Sequence, residues 1–284
     1  MPDRRGLTAY LLLTFGLTYA VDGLLLAAGF RITGLPALAG QLAVAATMWI
    51  PALAAWITVR FVSHEGGRVL RLRPGPLRPY LQTMLAIPAL YALIYGLSWL
   101  LGLGQPDWGL RWLRDLAAQA GSTEPLPSPA LFWPSLFLLT LLVTPFVNTL
   151  FGLGEEIGWR GYLLPHLMPL GKKRAYLLTG LLWGLWHAPL VLVGFNYPGH
   201  PYLGVGMMCL FTTALGLYIG AMAQRYESTL LAGWMHGLVN SQGYGIWRIL
   251  FPTMNPLLGG AAGLVGILVW AAAGLWVMRG EAKA

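Results

Sequence analysis

Phe151-Gly-Leu-Gly-Glu155-Glu156-Ile-Gly-Trp-Arg160 closes an apolar run that begins near residue 130. Crossing a hydrocarbon core about 30 Å thick takes about 20 residues of helix, and this run has that length. A charge held at mid-membrane costs on the order of 3 kcal/mol or more. The chain has only ten acidic residues, so two of them side by side in such a place require a fold that shields them from lipid and a role that justifies the cost.

Runs of similar length recur at 8–30, 38–59, 80–102, 175–195, 203–223, 229–250 and 257–278. With 57% hydrophobic and 10% charged residues and a mean hydropathy of +0.63, the 284-residue chain lies outside the range of soluble domains. The expected fold is all-α: a polytopic membrane protein, a bundle of about eight transmembrane helices forming a single integral membrane domain over 1–284. Its first partner is the lipid bilayer. The net charge of +8 does not point to nucleic acid, because the basic residues fall in short clusters between apolar runs.

Those clusters alternate. Arg4 and Arg5, then Arg60, Arg68, Arg71, Arg73 and Arg78, then Arg160, Lys172, Lys173 and Arg174, then Arg225, then Arg279 and Lys283 occupy every second connection. The other connections hold Arg31, a balanced 104–129 loop, a 196–202 loop without Lys or Arg, and Arg248. The positive-inside rule then expects both termini in the cytoplasm and the protein in the cell membrane. The first run is too long for a signal-peptide core and is expected to stay as an anchor. Cys209, the single cysteine, has no internal disulfide partner.

Smaller features have simpler expected roles. Trp108-Gly-Leu-Arg-Trp-Leu-Arg-Asp-Leu116 has the pattern of a short amphipathic helix lying at the interface. Asp22 interrupts the first run, near the outer boundary or hydrogen-bonded to a neighbouring helix. Pro165, His166, Pro169 and Gly171 make 160–174 a cytoplasmic elbow.

Of five histidines, His64, His166 and His200 fall in connections, whereas His187 and His236 are inside apolar runs. His187 lies about twelve residues into its run, roughly 18 Å along a helix. His236 and Asn240 are four apart and share a helical face, as do Glu156 and Arg160, an acid-before-base pair that leaves Glu155 free. Gln242, Gly243 and Gly245 make the 229–250 helix the least suited to lipid. One carboxylate, two imidazoles and an amide, reachable from one membrane face, suit activation of water and stabilisation of a developing oxyanion.

Glu155-Glu156-x-x-x-Arg160, Trp183-x-x-x-His187 and His236-x-x-x-Asn240 together resemble the three ordered motifs of the CAAX-protease and bacteriocin-processing family of intramembrane proteases, which includes the type II CAAX prenyl endopeptidases. The motif-bearing part spans about 150–245, and three motifs in order on separate spans are a specific signature. Tryptophan at 183 stands where phenylalanine is common. The resemblance implies that Glu155 activates the attacking water, His187 helps to hold it, His236 and Asn240 stabilise the oxyanion, and Glu156 and Arg160 orient the helix end.

The resemblance leaves two chemistries open. Glu155, His187 and His236 could ligate a divalent metal such as zinc that carries the water, or glutamate-activated water could act without metal. The expected function is hydrolysis of a peptide bond in a membrane-associated protein or peptide, with or without a prenyl group, in a site opening towards the cytoplasm. Trp183, Trp186 and Trp234 could line the substrate's path from the bilayer, although plain helix packing is the simpler role for any one of them. The alternatives are a non-proteolytic immunity or scaffold protein that binds a peptide or a partner protein, and a proton-coupled transporter using Glu155, His187 and His236 as a relay; the latter lacks evident inverted pairs of broken helices.

Overall fold

The computed structural model describes residues 3–30, 38–122 and 124–281, and every element among them is helical. Helices α1 (Arg4–Ala27), α2 (Leu38–Thr47) and α3 (Ile50–Ile57) lead through a π-helical stretch (Thr58–Val62) and a 3-10 turn (Gly67–Leu70) to α4 (Leu77–Leu100). Then come α5 (Arg111–Gln119), α6 (Pro129–Leu142), α7 (Thr144–Glu156), a second π-helical stretch (Ile157–Leu163), α8 (Leu164–Leu167) and a 3-10 turn (Met168–Leu170). The chain closes with α9 (Lys172–Trp186), α10 (Ala188–Leu192), α11 (Pro201–Tyr226), α12 (Thr229–Tyr244), α13 (Ile246–Leu250) and α14 (Leu264–Glu281). Arg31 and Lys283, which entered the charge pattern, lie outside the described residues.

The all-helical membrane fold expected from the sequence is present. Among the described residues four helices are long and apolar enough to cross a membrane: Arg4–Ala27, Leu42–Val62, Leu77–Leu100 and Pro201–Tyr226. A fifth candidate is the pair Pro129–Leu142 and Thr144–Leu170, bent by 41°. The other three apolar runs do not form continuous helices of spanning length. The run at 175–195 breaks at His187, because Pro189 has no N–H to donate and its ring collides with the carbonyl four residues back. Similarly, Pro145 follows the bend at Val143, and Gly245 (φ −92°, ψ −122°) ends α12. In the last run, α14 begins only at Leu264.

Close helix contacts come from small residues rather than from the apolar runs themselves, as expected where lipid competes for every apolar surface. Helices α7 and α12 pack along their lengths, as do α9 and α11. In each case one helix carries two glycines four apart: Gly233 and Gly237 on α12, Gly180 and Gly184 on α9. A Cβ added at Gly237 would lie 2.6 Å from Thr149 N and 2.8 Å from Pro145 O, and one at Gly180 would lie 2.5 Å from Thr213 Cα. These partners are backbone and cannot step aside. Gly237→Ala is therefore expected to cost about 1–3 kcal/mol through overpacking, read as a lower midpoint of thermal unfolding in detergent. Gly96→Ala on α4, where a Cβ meets nothing within 4 Å, should be neutral or slightly stabilising.

Side chains pin the remaining elements to this core. Tyr91 OH donates to Val239 O at 2.8 Å, tying α4 to α12, and Trp186 Nε1 donates to Thr18 Oγ1 at 2.7 Å, tying α9 to α1. The amphipathic helix expected at 108–116 begins at Arg111 instead. Asp107 Oδ2 accepts from Trp112 N at 2.8 Å and so satisfies an N–H of the first turn, which fixes the start there. Asp22 is buried at 1% exposure with Oδ1 unpartnered. It has no hydrogen bond or ion pair with the polar cluster described next.

Candidate functional site

Glu155 and Glu156 are the last two residues of α7, directly before the π-helical stretch that carries Arg160. Single-turn π distortions inside helices gather at functional sites, and every residue of Ile157–Leu163 is buried here. Successive residues on a helix point about 100° apart, so the adjacent carboxylates take different surroundings.

Glu156, wholly buried, forms the i,i+4 pair that the sequence indicated: Arg160 Nη1 donates to its Oε1 at 2.9 Å. The same oxygen receives His236 Nδ1 at 2.8 Å. A carboxylate only accepts, so Nδ1 carries the hydrogen and Nε2 is the ring's working nitrogen. Glu156 is thus more than Arg160's counter-ion, since it also fixes the orientation of His236. Gly152 permits this approach, because a Cβ there would lie 3.0 Å from His236 Cβ.

Glu155 has a different partner, Trp183, whose Nε1 donates to Oε2 at 2.6 Å. Trp183 therefore joins three groups: its indole N–H holds Glu155, its ring lies under Arg160 with the guanidinium carbon 4.1 Å from the centroid, and its carbonyl receives His187 Nδ1 at 2.8 Å. Gly216 on α11 leaves room for the guanidinium, as a Cβ there would meet Arg160 Nη2 at 3.0 Å. With Nδ1 engaged as a donor, neutral His187 offers Nε2 as an acceptor. His187 is the residue that ends α9, so the helix break sets its ring free of the helix barrel, stacked at 4° on Phe195.

Trp183, His187, His236 and Asn240 line one cavity of about 530 Å³, within the usual range for small-ligand sites. Glu155 lies one side chain behind this wall, 2% exposed, held by Trp183 and coupled by charge to His236. Its Oε1 is not among the sealed, unpartnered polar atoms, whereas Glu156 Oε2 is. The fold thus gathers all seven residues singled out in the sequence, with Glu156 and Arg160 buried behind the cavity.

The cavity extends from His187 and His236 towards 194–198, Arg248 and 252–263, the side of α9 and α12 away from the basic residues 172–174 and 225. As for the tryptophans, Trp186 and Trp234 are buried in helix packing, at 4% and 8% exposure, and only Trp183 reaches the cavity wall.

The metal set fares differently. Among the described residues no three His, Cys, Asp or Glu side chains form a group able to hold a metal ion. Trp183 holds Glu155 Oε2 and Glu156 holds His236 Nδ1, so the donors left for a metal are Glu155 Oε1 and the Nε2 atoms of His187 and His236, and these are not drawn into one group here.

Sequence reasoning missed Trp183 as the hub and overlooked the glycines that bring α7, α9, α11 and α12 together. The Gly-x-x-x-Gly spacings were readable. The bond from Trp183 to Glu155 was not, because it joins residues 28 apart on separate helices.

Comparison with known proteins points the same way as the motifs. Residues 131–242 match the sequence model of the family described as type II CAAX prenyl endopeptidase Rce1-like, a stretch that contains Glu155, Glu156, Arg160, Trp183, His187, His236 and Asn240. A curated protein named CAAX prenyl protease 2, from Methanococcus maripaludis, is 40% identical over 67 residues. That match covers 23% of this chain and 21% of the relative. The chain thus spans about a fifth of the curated relative it matches.

Proposed function

We propose that this membrane protein is an intramembrane endopeptidase of the Rce1-like kind, in which Glu155 activates water for attack on a peptide bond held in the cavity. The observation that carries the proposal is the pairing of unlike carboxylates. Glu156 is consumed by Arg160 and His236, while Glu155 is held by one indole N–H beside a cavity bearing two imidazoles and an amide.

In this reading a water gives one hydrogen bond to Glu155 and one to His187 Nε2, which leaves an oxygen lone pair directed at the carbonyl carbon. As the C–O bond forms, Glu155 takes the proton and the carbonyl π electrons move to oxygen. Protonated His236, stabilised by Glu156, and the Asn240 amide donate to that oxyanion; such groups are each worth about 3 kcal/mol when preorganised. Collapse expels the amine, which takes the proton from Glu155. Charge balance holds throughout, because the proton removed from water leaves on the amine.

The substrate is a membrane-associated peptide or protein, with apolar side chains against Tyr91, Phe195, Phe211 and Leu215 on the cavity wall. Purified protein in detergent should cleave fluorogenic peptides from a varied panel. Binding without cleavage would favour the immunity or scaffold reading, and pH-driven flux in liposomes without cleavage would favour the transporter.

By the positive-inside rule we place the 194–198 and 252–263 end of the cavity on the non-cytoplasmic side. In a Cys209→Ser background, Tyr202→Cys, at that end and 85% exposed, should react with a membrane-impermeant maleimide in intact cells. Gly66→Cys, exposed at the basic end, should react only after lysis. The reverse pattern would place that end of the cavity in the cytoplasm.

A further inference from the structure

The cavity wall carries no aspartate or glutamate, and beside its two histidines it carries the guanidinium of Arg248, on α13. Arg248 is exposed and pairs with no carboxylate among the described residues. Its recorded contact is with the Trp112 ring, whose centroid is 5.9 Å from the guanidinium carbon. Asp107, in the loop that leads into α5, forms no ion pair with it and instead accepts Trp112 N at Oδ2. That loop also braces the short helix, because Asp107 N donates to Leu250 O at 2.7 Å. A guanidinium supported on one side by an aromatic face, opening on the other to a cavity with two histidines and no acid, is arranged to receive an anion.

We infer that Arg248 is a specificity-determining residue that binds a carboxylate of the substrate at the α13 end of the cavity while the scissile bond lies by His187 and His236. The inference rests on the endopeptidase reading for the second half of that sentence only. The carboxylate has two possible sources, the substrate's C-terminus and an acidic side chain, and both present the same planar pair of oxygens to the fork of N–H donors. The α12–α13 segment sets the reach. From His236 to Arg248 is at most about 18 Å along an unbroken helix at 1.5 Å per residue, and the break at Gly245 shortens it. About five extended residues therefore suffice to join the two points, at roughly 3.4 Å each.

Binding tests this with the full-length chain carrying Glu155→Gln, so that cleavage does not consume the probe. Three fluorescent peptides of one apolar sequence are compared by anisotropy: a free C-terminal carboxylate, a C-terminal amide, and the amide with one glutamate added. At least one acidic form should bind about tenfold or more tightly than the plain amide, as expected for a charge-assisted contact. The difference should vanish with Arg248→Gln and persist in part with Arg248→Lys, at unchanged unfolding midpoints. Which acidic form gains identifies the source.

Equal binding of all three peptides, a preference that survives Arg248→Gln, or no binding at all would overturn the inference and leave Arg248 to the lipid phosphate layer. Failure of the endopeptidase reading looks different. Wild-type protein would then bind the acidic peptide through Arg248 and never cleave it.

Discussion

Glu155→Gln is expected to abolish peptide turnover while leaving the fold intact. Glutamine is nearly isosteric and keeps an oxygen to accept from Trp183 Nε1, so the hydrogen bond that spans α7 and α9 survives. What is lost is the capacity to take a proton from water, and removal of a positioned general base lowers kcat by about 10²–10⁴. KM and the unfolding midpoint should barely move. Single-turnover assays in detergent with a fluorogenic peptide read the rate, and thermal unfolding reads the fold. Turnover that persists in Glu155→Gln would sink the assignment of the base. Turnover that is lost on chelation and restored by zinc would instead show that the donors rearrange around a metal, with Trp183 releasing Glu155.

The second large effect is on stability. Glu156→Gln leaves the Arg160 guanidinium, 1% exposed, without its hydrogen-bonded anion. Removing one partner of a buried pair typically costs about 3–5 kcal/mol, and the face of Trp183 returns only part of that, since a desolvated cation–π contact is worth about 2 kcal/mol. The unfolding midpoint should fall sharply and the single variant should express poorly. A double variant, Glu156→Gln with Arg160→Met, removes the stranded charge and should recover much of the stability, because a buried pair and a well-packed apolar replacement are often near equal. It should not recover turnover. His236 has lost the anion at its Nδ1, so its ring is no longer held as an imidazolium facing the cavity. A double variant that is both stable and active would show that Glu156 serves Arg160 alone.

These two outcomes separate a pair of adjacent glutamates that a one-dimensional reading treats alike. The i,i+4 geometry of a helix already distinguishes them in part, since it places Arg160 beside Glu156 and leaves Glu155 over. The same rule puts Trp183 below His187 and Asn240 above His236. Each of these relations lies within one helix or its immediate continuation, where 3.6 residues per turn is enough to decide which side chains meet.

The sequence by itself determined the helical membrane class, from apolar runs of spanning length, and the identities of the polar residues too costly to leave in lipid. It also contained the Gly233–Gly237 and Gly180–Gly184 spacings that bring helices into backbone contact. Only the tertiary structure decided the partners across helices: Trp183 Nε1 on Glu155, His236 Nδ1 on Glu156, and Arg160 over Trp183 under the space left by Gly216. Tertiary structure also decided towards which ends of α9 and α12 the cavity extends. The physical reason is one of range. Helix periodicity fixes neighbours within a turn or two, whereas the meeting of α7, α9 and α12 depends on crossing geometry and on the breaks at His187 and Gly245, which emerge only when the helices pack.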